Sequence, residues 1–177
     1  MKRYHPALVA LHWITMLLLF AALLGGSLNM APMANSDPEK LEILRLHMII
    51  GNVILALMVL RLGIRLRSQH PPSVNTGNLL QDKAAGLAHI GLYLLVFVMI
   101  ASGWATALAA DLPAILFGGS GAALPEDFYE FAPRLVHRIG FILLSLLIGL
   151  HIVAALYHQF VQKDHLLARM WFGKRKG

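Results

Sequence analysis

Nine histidines and no cysteine set the chemistry open to this 177-residue chain. Without cysteine there is no disulfide, no thiolate catalysis, no cysteine-held iron–sulfur cluster and no covalent haem attachment, so metal chemistry falls to imidazole. Five of the nine, His12, His47, His89, His137 and His151, fall within expected membrane-spanning helices. An ionisable residue inside a membrane is costly enough to be read first as functional or paired. Counted along helices, His47 and His137 lie near one end of their spans, and His12, His89 and His151 near the other. His137 and His151 share one helix and are fourteen residues apart. At ~1.5 Å and ~100° per residue that separates them by ~21 Å on nearly the same face.

Two cofactor planes stacked across a bilayer, each taking one histidine from the fourth helix and one from another, account for this pattern. Haem b suits the planes because it is held non-covalently, takes two axial imidazoles and is apolar enough for a helix bundle. At the outer level only His47 and His137 are present; at the inner level His151 has two candidate partners, His12 and His89, and spacing leaves both open. Any one membrane histidine taken alone reads equally well as polar glue to a neighbouring backbone carbonyl. Proton relays and metal transporters also use histidine, but such paths recruit intramembrane carboxylates, and none lies between residues 84 and 110 or 139 and 162.

The elements that would position these residues follow from composition. The chain is 58% apolar and 14% charged, with a mean hydropathy of +0.66. Stretches free of Asp, Glu, Lys and Arg run over 4–36, 46–60, 84–110 and 139–162, and a span needs roughly 20 apolar residues. The expected fold is therefore an all-α integral membrane four-helix bundle, up-down-up-down, forming one domain over 1–177. Its helices are expected at about 7–30, 41–66, 83–109 and 131–161, with loops at Pro71-Pro72 and from Leu112 to Pro125. The first run exceeds an ordinary signal-peptide core and contains His12, so it reads as a transmembrane helix. A soluble α/β enzyme and a nucleic-acid module are excluded despite the pI near 10.

Eleven Lys and Arg fall on one side (Lys2, Arg3, Arg61, Arg65, Arg67, Lys83, Lys163, Arg169, Lys174, Arg175, Lys176) and four on the other (Lys40, Arg45, Arg134, Arg138). Seven of the nine acids lie with the four, giving about +9 and −3. By the positive-inside rule both termini are cytoplasmic. Arg45, Arg134 and Arg138 then flank the outer histidines, placed either to steer an anion or to bind haem propionates. Arg61, fourteen residues after His47, is a propionate candidate at the inner level, and His158, seven after His151, shares that face. Gly51 and Gly140, near His47 and His137, would leave room for a flat macrocycle. Met30, Met33 and Met48 read as packing, and His5, His70 and His165 receive no role.

Several segments carry a resemblance. LHW at 11–13, RLGIRL at 61–66, GLAHIGLY at 86–93 and HIVAALYH at 151–158, followed by Lys163-Asp164 and LARM at 167–170, resemble the bacterial cytochrome b561 family of four-helix di-haem membrane proteins. The resemblance implies two haem b groups, with His12 and His151 on the inner iron, His47 and His137 on the outer, and His89 a non-ligand. In size and loop design the chain is most similar to stand-alone members of superoxide oxidase type, which implies electron transfer from superoxide at the periplasmic face to ubiquinone in the bacterial inner membrane. Ubiquinone is expected at the cytoplasmic end, between the inner haem and the Arg65 to Lys83 loop. The alternatives are a quinone-linked haem b subunit of a dehydrogenase or hydrogenase complex, fed by a redox partner protein, and a haem or metal transport protein. Family members often carry a proline midway along helix three. This chain reads VMIASGW at 98–104 instead, so any bend there is expected from Ser102-Gly103.

Overall fold

The computed structural model describes residues 3–69, 71, 77 and 79–173. Lys2, His70, Pro72 and the Lys174, Arg175, Lys176 cluster lie outside the described residues. Among the described residues all regular structure is helical. Four helices are long and apolar enough to span a bilayer: Pro6–Met30, Pro38–Arg67, Leu79–Ala109 and Ala132–Gln162.

The first helix, α1 (Pro6–Leu24), starts with proline at its first position, where no backbone donor is lost, and continues as a π-helical turn over Gly25–Met30. α2 (Pro38–Arg67) begins a turn earlier than expected because Asp37 caps it, its Oδ1 accepting from the Glu39 N–H at 2.9 Å. Pro38 therefore opens this helix rather than blocking it. α3 (Leu79–Ala109) runs unbroken through Ser102-Gly103. The segment from Leu112, expected as loop, instead forms a short helix, α4 (Leu112–Leu116). Its apolar residues explain the difference: Leu112 and Leu116 bury against Leu44, Ala107, Ala110 and Leu124, closing the outer end of the bundle. α5 (Ala132–Tyr157) ends in a π-helical turn over His158–Gln162.

α1 packs on α2, and α3 on α5. Ile54, Met58, Val96 and Leu144 form the mid-bundle core. Leu17, Leu108, Leu146, Leu150 and Val153 are exposed, as a surface facing lipid tails requires. At the outer end the Asn35 amide donates to the Pro125 and Glu126 carbonyls, and the Lys40 ammonium donates to the Met33 carbonyl at 2.6 Å.

At the other end the chain reverses. Lys163 and His165 adopt left-handed backbone conformations, and the 3-10 turn Leu166–Met170 lies across the start of α1. There the Trp13 indole N–H donates to the Met170 carbonyl at 2.8 Å, and Arg3 donates to the Trp171 and Phe172 carbonyls. Trp13 also meets Trp171 edge to face, with ring centroids 5.5 Å apart.

Candidate cofactor site with two histidine layers

The outer layer is made by α2 and α5. Their rings, His47 and His137, stand 6.3 Å apart between centroids with planes at 75°. His137 is oriented from behind: its Nδ1 lies 2.9 Å from the Met99 carbonyl and 3.2 Å from the Ser102 hydroxyl, both on α3. A carbonyl only accepts, so Nδ1 carries the proton and Nε2 keeps its lone pair. Metal-binding histidines are commonly fixed in this way.

Two glycines sit against the rings. A Cβ on Gly103 would stand 3.1 Å from His137 Cε1, and one on Gly26, in the π-helical turn of α1, 3.5 Å from His47 Cε1. Gly140 does not leave a flat space, since a Cβ there would meet the Met99 sulfur at 2.8 Å, whereas Gly51 faces open space. Sequence reasoning missed Met99, Ser102, Gly103 and Gly26 as neighbours of the histidines. The absent proline in helix three was the available signal: Ser102-Gly103 serves His137 where a bend was expected. Gly103→Ala is expected to push His137 off its hydrogen bonds and broaden or shift the outer b-type absorbance band, and low-temperature optical spectra check this.

The outer arginines divide. Arg45 donates through Nε to the Leu116 carbonyl at 2.8 Å and pairs with Glu42, so it ties α2 to α4. Arg134 and Arg138 both lie over the Tyr129 ring, at 5.5 and 5.6 Å, and Arg138 also contacts the Tyr129 hydroxyl at 3.3 Å. Arg134 is close enough for its charge to act on both His47 and His137.

At the inner layer the structure brings the His151 ring against that of His89, with centroids 5.4 Å apart. His12 stands within electrostatic reach of both but is engaged elsewhere, its Nδ1 accepting from Arg61 at 3.2 Å. Arg61 and Arg65 lie over the Tyr93 ring at 5.3 and 5.9 Å. The buried Tyr93 hydroxyl has no hydrogen-bond partner among the described residues, and the same holds for Thr15, one turn from His12. His158 pairs with Asp164, with Nδ1 and Oδ2 2.6 Å apart. Among the described residues no three side chains of His, Asp or Glu converge on one point.

A family profile described as Prokaryotic cytochrome b561 matches residues 3–173. The chain belongs to that family. It is 31% identical to the probable superoxide oxidase CybB of Yersinia pestis, over 98% of both chains. It is 30% identical to cytochrome b561 homolog 1 of Escherichia coli K12 over 96% of this chain and 97% of that one. To cytochrome b562 of Cereibacter sphaeroides it is 32% identical, over 92% and 90%. The protein is accordingly a multi-pass bacterial membrane protein of a haem b, electron-transferring type.

The outer layer of this cytochrome b561 relative fits haem iron. Two imidazoles bound on opposite sides of one metal, at the usual distance of about 2 Å, place their centroids about 6 Å apart, against 6.3 Å between His47 and His137. The donor tautomer of His137 and the side-chain-free surface of Gly26 agree with that fit.

Proposed function

We propose that the chain is a single transmembrane di-haem domain over 1–177 in the inner membrane, with both termini cytoplasmic. It carries electrons from superoxide at the periplasmic face to ubiquinone. His47 and His137 hold the outer haem b, and His12 and His151 the inner. The observation that carries the reading is the outer pair, with its spacing and the Met99 carbonyl fixing the His137 tautomer. Held by these imidazoles, haem would supply reversible one-electron transfer. α5, helical without a break from Ala132 to Tyr157, holds His137 and His151 one above the other, ~21 Å apart along its axis.

The stoichiometry is simple: two superoxide anions each lose one electron and leave as oxygen, while one ubiquinone gains two electrons and two protons to become ubiquinol. The chain's own residues serve both ends. Arg134 and Arg138 present positive charge beside the outer layer, against the acids of the neighbouring loop, so attraction of an anion is local. Arg61, Arg65 and the unpartnered Tyr93 hydroxyl make a cationic, donor-rich surface at the inner layer, suited to propionates. Ubiquinone is assigned to the cytoplasmic end, toward the Arg65 to Lys83 loop, which places donor and acceptor on opposite faces. A quinone or inhibitor bound beside the outer haem in a structure would overturn that assignment. The name of the Yersinia relative, probable superoxide oxidase, supports superoxide as the donor.

Stopped-flow haem reduction by superoxide, with ubiquinone reduction followed in parallel, tests the reading. The bimolecular rate is expected to fall as salt screens the arginines over a Debye length of ~10 Å at 0.1 M ionic strength. Arg134→Gln and Arg138→Gln variants that keep their haem are each expected to be slower by roughly fivefold, the worth of one nearby charge in water. Slow, salt-independent reduction indifferent to both substitutions would favour a haem subunit fed by a partner protein.

A further inference from the structure

A cavity formed by the described residues lies away from both histidine layers. It measures about 730 Å³ and opens between the start of α1 and the end of α2. Its floor is apolar, formed by Val59, Leu60 and Ile64 with Gly63 between them, and its mouth carries Arg3, Arg67 and Ser68. Among the described residues no carboxylate lines it. From Val59 to Arg67 the lining climbs eight residues of helix, or ~12 Å, so the cavity passes from an apolar to a cationic end along the membrane normal. Ser68 Oγ is buried there with no hydrogen-bond partner among the described residues. Gly63 leaves the middle of the groove open, since a Cβ at that position would meet only the Arg67 guanidinium, at 3.8 Å.

We propose that this groove is a binding site for an anionic phospholipid, its phosphate held by Arg67, Arg3 and the Ser68 hydroxyl and one acyl chain lying along Ile64, Leu60 and Val59. The cavity repeats a lipid's own polarity: charge at the membrane edge, hydrocarbon below. A free inorganic anion would have no use for the apolar floor, and a neutral headgroup none for the guanidinium groups. Arg61 and Arg65 are turned to Tyr93, so the lipid-side charge at this end of α2 is that of Arg67. The inference stands on the groove alone and is independent of the haem assignment.

The test is native mass spectrometry of the full-length, haem-loaded protein in neutral detergent, titrated with phosphatidylglycerol or with phosphatidylcholine of the same acyl chains. Phosphatidylglycerol is expected to bind the more tightly. Arg67→Gln is expected to weaken it about fivefold, as removal of one interfacial cation does, with little change for phosphatidylcholine. Gly63→Leu fills the groove without altering charge and is expected to abolish the phosphatidylglycerol preference, while an unchanged haem spectrum reports an intact fold. Equal affinity for the two lipids, retention of the preference in both variants, displacement by millimolar inorganic phosphate, or preferential capture of ubiquinone at this groove would each overturn the proposal.

Discussion

A His137→Ala variant is expected to lose half of its low-spin b-type absorbance per polypeptide, and His47→Ala the same half. In the proposed assignment each histidine would supply one of two protein bonds to the outer iron. Losing even a partner behind such a ligand typically costs 10–100-fold in metal affinity, and losing the ligand itself costs more. The two variants should differ in residual order. In His47→Ala the His137 ring stays tied to the Met99 carbonyl and Ser102, so added free imidazole is expected to restore a six-coordinate spectrum. In His137→Ala the remaining ligand lacks that support from α3, and rescue is expected to be weaker. Pyridine haemochrome quantification gives the ratio of haem to protein, and two haems retained in both variants would remove the outer assignment.

The second large effect separates His12 from His89. His12→Ala and His151→Ala are each expected to remove the other half of the absorbance, whereas His89→Ala keeps both haems. The ring contact between His89 and His151 would by itself suggest the opposite pairing. Space argues against it. Both residues belong to the α3/α5 pair, which is closely packed at this level: a Cβ on Gly91 would already touch Leu147 at 3.1 Å. The outer histidines, by contrast, bridge from α2 to α5, across the two helix pairs, and His12 on α1 would bridge in the same sense. For His12 to bind iron its Nδ1 must donate rather than accept, so Arg61 has to leave it, which frees the guanidinium for a propionate. Arg61→Gln is therefore expected to retain the inner haem but shift its midpoint potential. Loss of a haem in His89→Ala together with two in His12→Ala would reverse the inner assignment.

The positions of the histidines along the chain were enough to find the layers, because a transmembrane helix turns sequence spacing directly into depth. That is why the outer pair could be read from residue numbers and then found as neighbouring rings. Rotation about the helix axis is less legible: it depends on how four helices lean on one another, so the sequence left His12 and His89 level. Backbone partners were invisible for a related reason. The Met99 carbonyl that orients His137 has no residue type to announce it, and Ser102 and Gly103 looked like a hinge. At the surface, Arg45 groups with Arg134 and Arg138 in sequence because it stands two residues before His47, as they flank His137. Its carbonyl partner lies on α4, a helix hidden by the expectation of a loop after Ala109.

The clasp between Arg3, Trp13 and the turn at Leu166–Met170 joins residues made far apart in time. Arg3 and Phe172 are 169 positions apart, and a ribosome adding about 5–20 residues per second takes roughly ten to thirty seconds to cover that distance. All four spans are therefore synthesised before the start of α1 is covered. Since Trp13 adjoins His12, the neighbourhood of His12 is among the last to close. Until the turn is made, the Trp13 indole N–H lacks the Met170 carbonyl that it meets in the folded chain.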